Sequence, residues 1–302
     1  LLDTVKQLYN LVWFCSKVNI PFDVYAFTNS YNRDGKNFVP RWEESEIQDC
    51  IENQFMISPD FNLMHFFTSD VNKKTLDKQL LNLWRVAFGM SQWVLYTYPN
   101  QFTLSGTPLN EAIVCLHSLI PQFQKKNKVQ KINTIILTDG EANVLPYFAK
   151  NDYYDDNRMG TSRIYAGDFV RNRKTGYTYK IDHEYWKFTE ILLNNLKQEF
   201  PDVNTIGIRL ANNNDFKGFV RRYKGNFAED AYKKIRKDKF VALKSTGYTS
   251  YFGMLTNALD NDTEFTVEEG ASKAKIKSAF VKNLNSKSLN RKVLSQFVDI
   301  IS

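Results

Sequence analysis

Two stretches of the chain place oxygen donors where chemistry can be done. Leu104-Ser105-Gly106-Thr107-Pro108-Leu109-Asn110-Glu111-Ala112 brings hydroxyls to the opening of a helix. Thr134-Ile135-Ile136-Leu137-Thr138-Asp139-Gly140-Glu141-Ala142-Asn143 ends an apolar run on an aspartate. In a parallel sheet, strand ends and the helix starts that follow them lie on one rim, where ligands bind. Hydroxyl and carboxylate are hard donors, the kind of which Mg²⁺ gathers about six near 2.1 Å. Thr107 and Asp139 are therefore the candidate metal ligands. Ser105 and Glu141 are neighbouring oxygen donors that are not assigned to the ion. Plainer roles stand beside this one. Thr107 can cap the helix that Pro108 begins, and Asp139 can brace the turn at Asp139-Gly140.

Other chemistries find less support. His65, His117 and His183 fall in a strand, in a helix and after a hairpin, and read as local packing or surface residues. Cys115 and His117 are two apart on a helix and do not share a face, which argues against a cysteine nucleophile. Gly-Thr-Pro-Leu lacks the lysine of a phosphate-binding loop. Asp152, Asp155 and Asp156 make an acidic knot whose spacing misses the EF-hand pattern, so a solvated loop is the better reading. Arg171, Arg173, Lys174, Tyr177, Tyr179 and Lys180 mix cations with aromatic rings on one hairpin. Such a mixture suits an acidic protein partner, stacked bases, or a plain exposed hairpin.

The elements that must position these residues follow from periodicity. Leu1, Val5, Leu8, Val12 and Cys15 form a helical stripe ended by Pro21. Strands are expected at Phe22–Thr28, Phe61–Thr68, Asn133–Thr138 and Val203–Arg209, with the last at Lys239–Leu243. Ser30–Asp60 reads as loop with one helical turn, and Tyr147–Gly160 as a polar insertion loop. A hairpin spans Arg163–Ile181, turning at Lys174-Thr175-Gly176, with Tyr177 and Tyr179 on one face. Helices are expected at Thr75–Trp93, from Pro108 to an end or kink at Pro121, at Trp186–Phe200 and at Phe216–Tyr223. Two more close the chain, at Ala271–Leu284 and Ser288–Ile301. Strands that alternate with helices argue for an α/β fold with a doubly wound, mostly parallel sheet.

With 302 residues and 43% apolar content, one large α/β domain with an extension is within reach. No apolar run approaches the ~18 residues of a membrane span, and the first ten residues do not read as a signal peptide. Cys15, Cys50 and Cys115 are odd in number and unclustered, which favours a reducing, cytoplasmic setting without a zinc site. The net charge of +7 is spread along the chain. It reads first as a solvated basic face, and second as a nucleic-acid surface.

On Ser105-Gly106-Thr107-Pro108-Leu109 and Ile136-Leu137-Thr138-Asp139-Gly140-Glu141, the chain resembles the von Willebrand factor A (vWA) family. The order of elements agrees from Leu1 to about Leu243. Within the family it looks most like the A-type domain of the cobalt-chelatase large subunit and its phage-encoded relatives. The resemblance implies a Rossmann-like vWA-type domain over 1–245 with an insertion at about 144–184, and a C-terminal helical extension over 246–302. It implies a Mg²⁺ or Mn²⁺ ion held in part by Thr107 and Asp139. It also implies a protein client or a MoxR- or chelatase-type AAA+ ATPase as partner, in the cytoplasm, or the host cytoplasm for a phage protein. The alternatives are a non-ATPase subunit of a metal-chelatase-like enzyme and a basic nucleic-acid-associated protein. The family's Asp-x-Ser-x-Ser motif is missing: Asp3-Thr4-Val5-Lys6-Gln7 does not fit it. The family's central first strand, with the first metal loop, would precede Leu1 or come from another chain. Without it, two half-sheets face each other with open edges, and Mg²⁺ is expected to bind this chain poorly or not at all.

Overall fold

The computed structural model describes residues 1–29, 47–91, 102, 106–150, 159–184, 186–225, 229–244 and 246–256. In chain order the described elements are α1 (Leu2–Lys17), β1 (Asp23–Asn29), β2 (Phe61–Thr68), α2 (Lys73–Ser91), α3 (Leu109–Asn127), β3 (Ile132–Thr138), β4 (Tyr147–Lys150), β5 (Met159–Ser162), β6 (Phe169–Arg171), β7 (Thr178–Lys180), α4 (Trp186–Glu199), β8 (Val203–Ala211), α5 (Asn213–Lys224), α6 (Glu229–Asp238), β9 (Phe240–Leu243) and β10 (Ser250–Leu255). Local chemistry sets several ends. Asn212 caps α5 by accepting from the backbone N–H groups of Asn214 and Asp215 at 2.9 and 3.0 Å. Gly225, at φ +71°, lets the chain leave that helix. Pro121 lies inside α3, which continues to Asn127, so it is neither the end nor the boundary of that helix.

The main sheet has the order β3-β8-β10-β9. β3, β8 and β10 are parallel, and β9 runs antiparallel to β10. β8 has neighbours on both sides, and its nine residues are buried apart from the half-buried Asn204. Such near-continuous burial is what a strand covered on both faces shows. Leu11, Phe14 and Cys15 of α1 pack on one face, against Ile206, Ile208, Phe252 and Met254. Phe188, Leu192 and Leu193 of α4 and Phe216, Phe219 and Val220 of α5 belong to the core of the opposite face. The result is a three-layer α/β arrangement with parallel central strands.

Several expectations are corrected. Phe22–Thr28 does form a strand, but it pairs only with β2, as a separate antiparallel sheet. Residues 246–256, assigned from sequence to a helical extension, contain β10, which inserts between β8 and β9. Tyr251, Phe252, Met254 and Leu255 are all buried there, and a short apolar run of that kind suits a central strand. The strand at Lys239–Leu243 is therefore not the last, and the core sheet passes residue 245. The polar stretch 147–160 is not all loop, since β4 and β5 pair antiparallel across it. Helix α6 was not anticipated. The helices expected at 271–284 and 288–301, and the acidic knot at 152–156, lie outside the described residues. No helix among the described residues is long and apolar enough to cross a membrane.

β1 and β3 face each other across a cavity of about 840 Å³. α1 and α3 also line it, and Gly106, Thr107 and Asp139 sit on its rim.

Candidate functional site

Thr107 precedes α3 and Asp139 follows β3, and the fold brings them side by side. The contact is made through Gly140. A methyl group built on that residue would lie 1.9 Å from the Thr107 hydroxyl oxygen. Only a residue without a side chain lets the threonine settle against the backbone there. Gly106 takes φ +58° just before Thr107, a left-handed turn that glycine adopts without strain.

Neither side chain is used in the plainer role the sequence allowed. α3 has Pro108 at its cap position and no side-chain capping bond, so Thr107 does not cap it. The turn after β3 is braced by Thr138, whose hydroxyl accepts from the Gly140 N–H at 3.1 Å and donates to the Gly140 carbonyl at 3.0 Å. Asp139 is left two-thirds exposed, with the Leu1 nitrogen 3.8 Å from its Oδ2.

The surrounding loop is held by groups that sequence reasoning left unassigned. Asn110, in the first turn of α3, is fully buried. Its side-chain amide donates to the Asn143 carbonyl at 2.6 Å, and its carbonyl accepts from the Thr189 hydroxyl at 2.9 Å. One side chain thus ties α3, the loop after β3 and α4 together. Glu141 points away from the rim into an arginine pair: Arg222, which it meets directly, and the buried Arg209, 3.9 Å away. Arg222 also lies 5.0 Å over the Trp186 ring. The sequence signal for this clamp is weak. A lone charged residue in the apolar run of β8, Arg209, is the only mark it leaves.

Tyr223, Tyr248 and Tyr251 pack beside that clamp, with ring centroids 4.5 and 5.4 Å apart. Burial pushes all three phenols far above their ordinary pKa, with the nearby Glu141 carboxylate adding to the shift. They stay neutral at physiological pH. Burial also raises the Glu111 carboxyl, with Asp60 adding repulsion.

The hairpin residues differ in their surroundings. Lys174 is paired with Glu199 at 2.8 Å, and Arg173 reaches the Glu52 carbonyl at 3.4 Å. Tyr179, opposite the buried Val170, packs against the core. Arg171 and Tyr177 remain exposed. Tyr165 and Phe169, which the sequence did not single out, are about two-thirds exposed. Two of the histidines have partners, His65 with Asp23 at 3.2 Å and His117 with Glu199 at 2.8 Å.

A hydroxyl and an exposed carboxylate are the right kind of donors for Mg²⁺ or Mn²⁺, but two fall short of about six. Among the described residues no three His, Cys, Asp or Glu side chains converge. Water and an incoming ligand would have to complete the shell. Ser105 lies outside the described residues. No family model, curated protein or solved structure matches this chain.

Proposed function

We propose that this chain is a metal-dependent protein-interaction module of the vWA type. One observation carries the reading: Thr107 sits against Gly140 beside Asp139, with both side chains free of the capping and turn-bracing roles that would otherwise explain them. Thr107 and Asp139 would hold a Mg²⁺ or Mn²⁺ ion. When bound, such an ion supplies a positive point that accepts a carboxylate from a partner protein. The chain's own residues orient the donors: Asn110 fixes the loop after β3 to α3 and α4, and the Glu141 clamp anchors that loop from behind. The resemblance makes a AAA+ ATPase of the MoxR or chelatase type, or its client, the partner to try first.

Mn²⁺ titration followed by electron paramagnetic resonance tests the site. Weak saturable binding is expected in the native chain and its loss in Asp139→Ala, with Thr107→Ala intermediate. Co-purification of a partner should depend on Mg²⁺ and disappear in the same variants. Equal Mn²⁺ binding and equal partner capture in Asp139→Ala would remove the metal from the mechanism.

A further inference from the structure

Three of the eight large hydrophobic residues that stand exposed among the described residues belong to one short stretch: Tyr165 at 65%, Phe169 at 67% and Tyr177 at 51%. Single rings scattered over a surface are ordinary, and a cluster is not. The ribbon β6-β7 arranges them. Val170 and its partner Tyr179 turn inward, Val170 into the core and Tyr179 against it. Strand alternation then sends Phe169, Arg171, Thr178 and Lys180 outward together. Lys180 stands directly opposite Phe169, and Thr178 opposite Arg171. Tyr165 lies at one end of the ribbon, where the Gly167 N–H donates to the Ile181 carbonyl at 3.0 Å. Tyr177 lies at the other end, its carbonyl accepting from the Asn172 N–H at 2.9 Å.

The acids nearest in sequence are engaged elsewhere. Asp168 accepts from the Tyr165 N–H at 2.7 Å, and Lys187 holds Asp182 and Glu184 at 2.7 and 2.9 Å. Among the described residues, neither Arg171 nor Lys180 has a carboxylate partner. The face is also held in place. Asn172 donates to the Asn195 side chain of α4 at 2.6 Å, and its own side-chain oxygen accepts from the Lys174 and Thr175 N–H groups at 2.8 and 3.1 Å. Lys174 is paired with Glu199 at the end of the same helix. A ligand therefore meets rings and cations on a fixed backbone, with little ordering left to oppose binding.

We propose that the outward face of β6-β7 binds a single strand of nucleic acid. Phe169, with Tyr165 and Tyr177 at the two ends, offers ring faces on which bases stack, a contact that tolerates any sequence. Arg171 and Lys180 neutralise phosphates beside those rings. Two features favour this occupant over an acidic protein segment. Rings that stand two-thirds exposed present flat faces to a base, whereas a protein partner would have to bring a pocket for each. A lysine directly beside the central ring suits phosphate, and lysine is depleted from the cores of protein interfaces. A duplex hides the faces of its bases and would meet the two cations alone. Nothing in this depends on a metal at Thr107 and Asp139.

Fluorescence anisotropy of a labelled oligothymidylate tests this on the full chain, in EDTA so that no metal takes part. Saturable binding is expected. Its logarithm should fall with the logarithm of salt, between about 50 and 200 mM, at a slope of about −1.4, or about −0.7 for each of two phosphates. Arg171→Gln and Lys180→Gln should each halve that slope. Phe169→Ala should weaken binding at least about fivefold, and Phe169→Leu nearly as much, because a base uses the ring face and not apolar area as such. The same oligomer as a duplex, and oligoglutamate of equal length, should bind more weakly by at least the same factor. Oligoglutamate binding as tightly would assign the face to an acidic protein segment. A duplex binding as tightly would reduce it to a patch of charge, and unchanged affinity in Phe169→Leu would mean apolar contact without stacking. Each of these overturns the proposal, as does an absence of binding at low salt. Should a variant fail to fold, photocrosslinking of the native chain decides: an iodouracil-substituted oligomer should link to Tyr165, Phe169 or Tyr177, and links confined to other segments overturn the proposal.

Discussion

Gly140 shows how much one hydrogen atom can decide. Its missing side chain is what lets Thr107 stand beside Asp139, so Gly140→Ala should displace the threonine and destabilise the protein by about 1–3 kcal/mol, the usual cost of forcing atoms into an occupied space. Urea unfolding measures the stability, and Mn²⁺ binding should fall in parallel. Asn110→Leu keeps the volume but strands the Thr189 hydroxyl and the Asn143 carbonyl. A loss of about 1–3 kcal/mol is expected in the same assay. Glu199 offers a pH signature. Burial raises its carboxyl pKa, but the Lys174 and His117 contacts more than offset that, and the net shift is downward. A depressed carboxyl stabilises the fold above the unfolded value of about 4.3, and that stability is lost as pH falls through the folded pKa. Glu199→Gln should therefore flatten the acid side of the stability profile. An unaltered acid limb would show that the Lys174–Glu199–His117 group is inert. Thr107 and Asp139 were legible as residue types at motif spacing. Asn110 and the Glu141 clamp were not, because their partners come from elements 33 to 81 positions away in the chain.

At the scale of elements, apolar periodicity placed most helices and strands within a few residues, since it reports which face each must bury. It faltered where local signals and packing disagree. Pro121 reads as a stop, yet α3 runs through it because the helix beyond still buries Phe123 against Ile132 and Val203. Proline costs an interior helix its hydrogen bond and crowds the preceding turn. Pro121 is exposed, so Pro121→Ala should raise stability by about 1–3 kcal/mol, read as a higher melting temperature. β10 shows the converse failure. Six residues after a glycine-bearing turn gave too little pattern to be recognised, yet β10 occupies the middle of the sheet. Gly253 is pressed against Phe219 of α5, where an added methyl would lie 2.4 Å from the ring. Gly253→Ala should cost about 1–3 kcal/mol; a neutral result would mean that α5 moves freely on the sheet.

For the whole molecule, stability should be uneven. β8 and β10 lie between helices and should exchange their amides slowest, while β1 and β2, a two-stranded pair, should open at much lower cost.

The amino-acid sequence by itself determined the class of this protein: an α/β chain with strand ends and helix starts on one rim, and a hydroxyl and a carboxylate offered there. Those features are local, written in spacing and residue type. Tertiary structure alone decided that Thr107 meets Gly140, that Glu141 is spent on two arginines, and that β10 divides β8 from β9. Each of these depends on which distant segments share space. Strand pairing and close packing settle that jointly over the chain, and no window of sequence contains both sides of the contact.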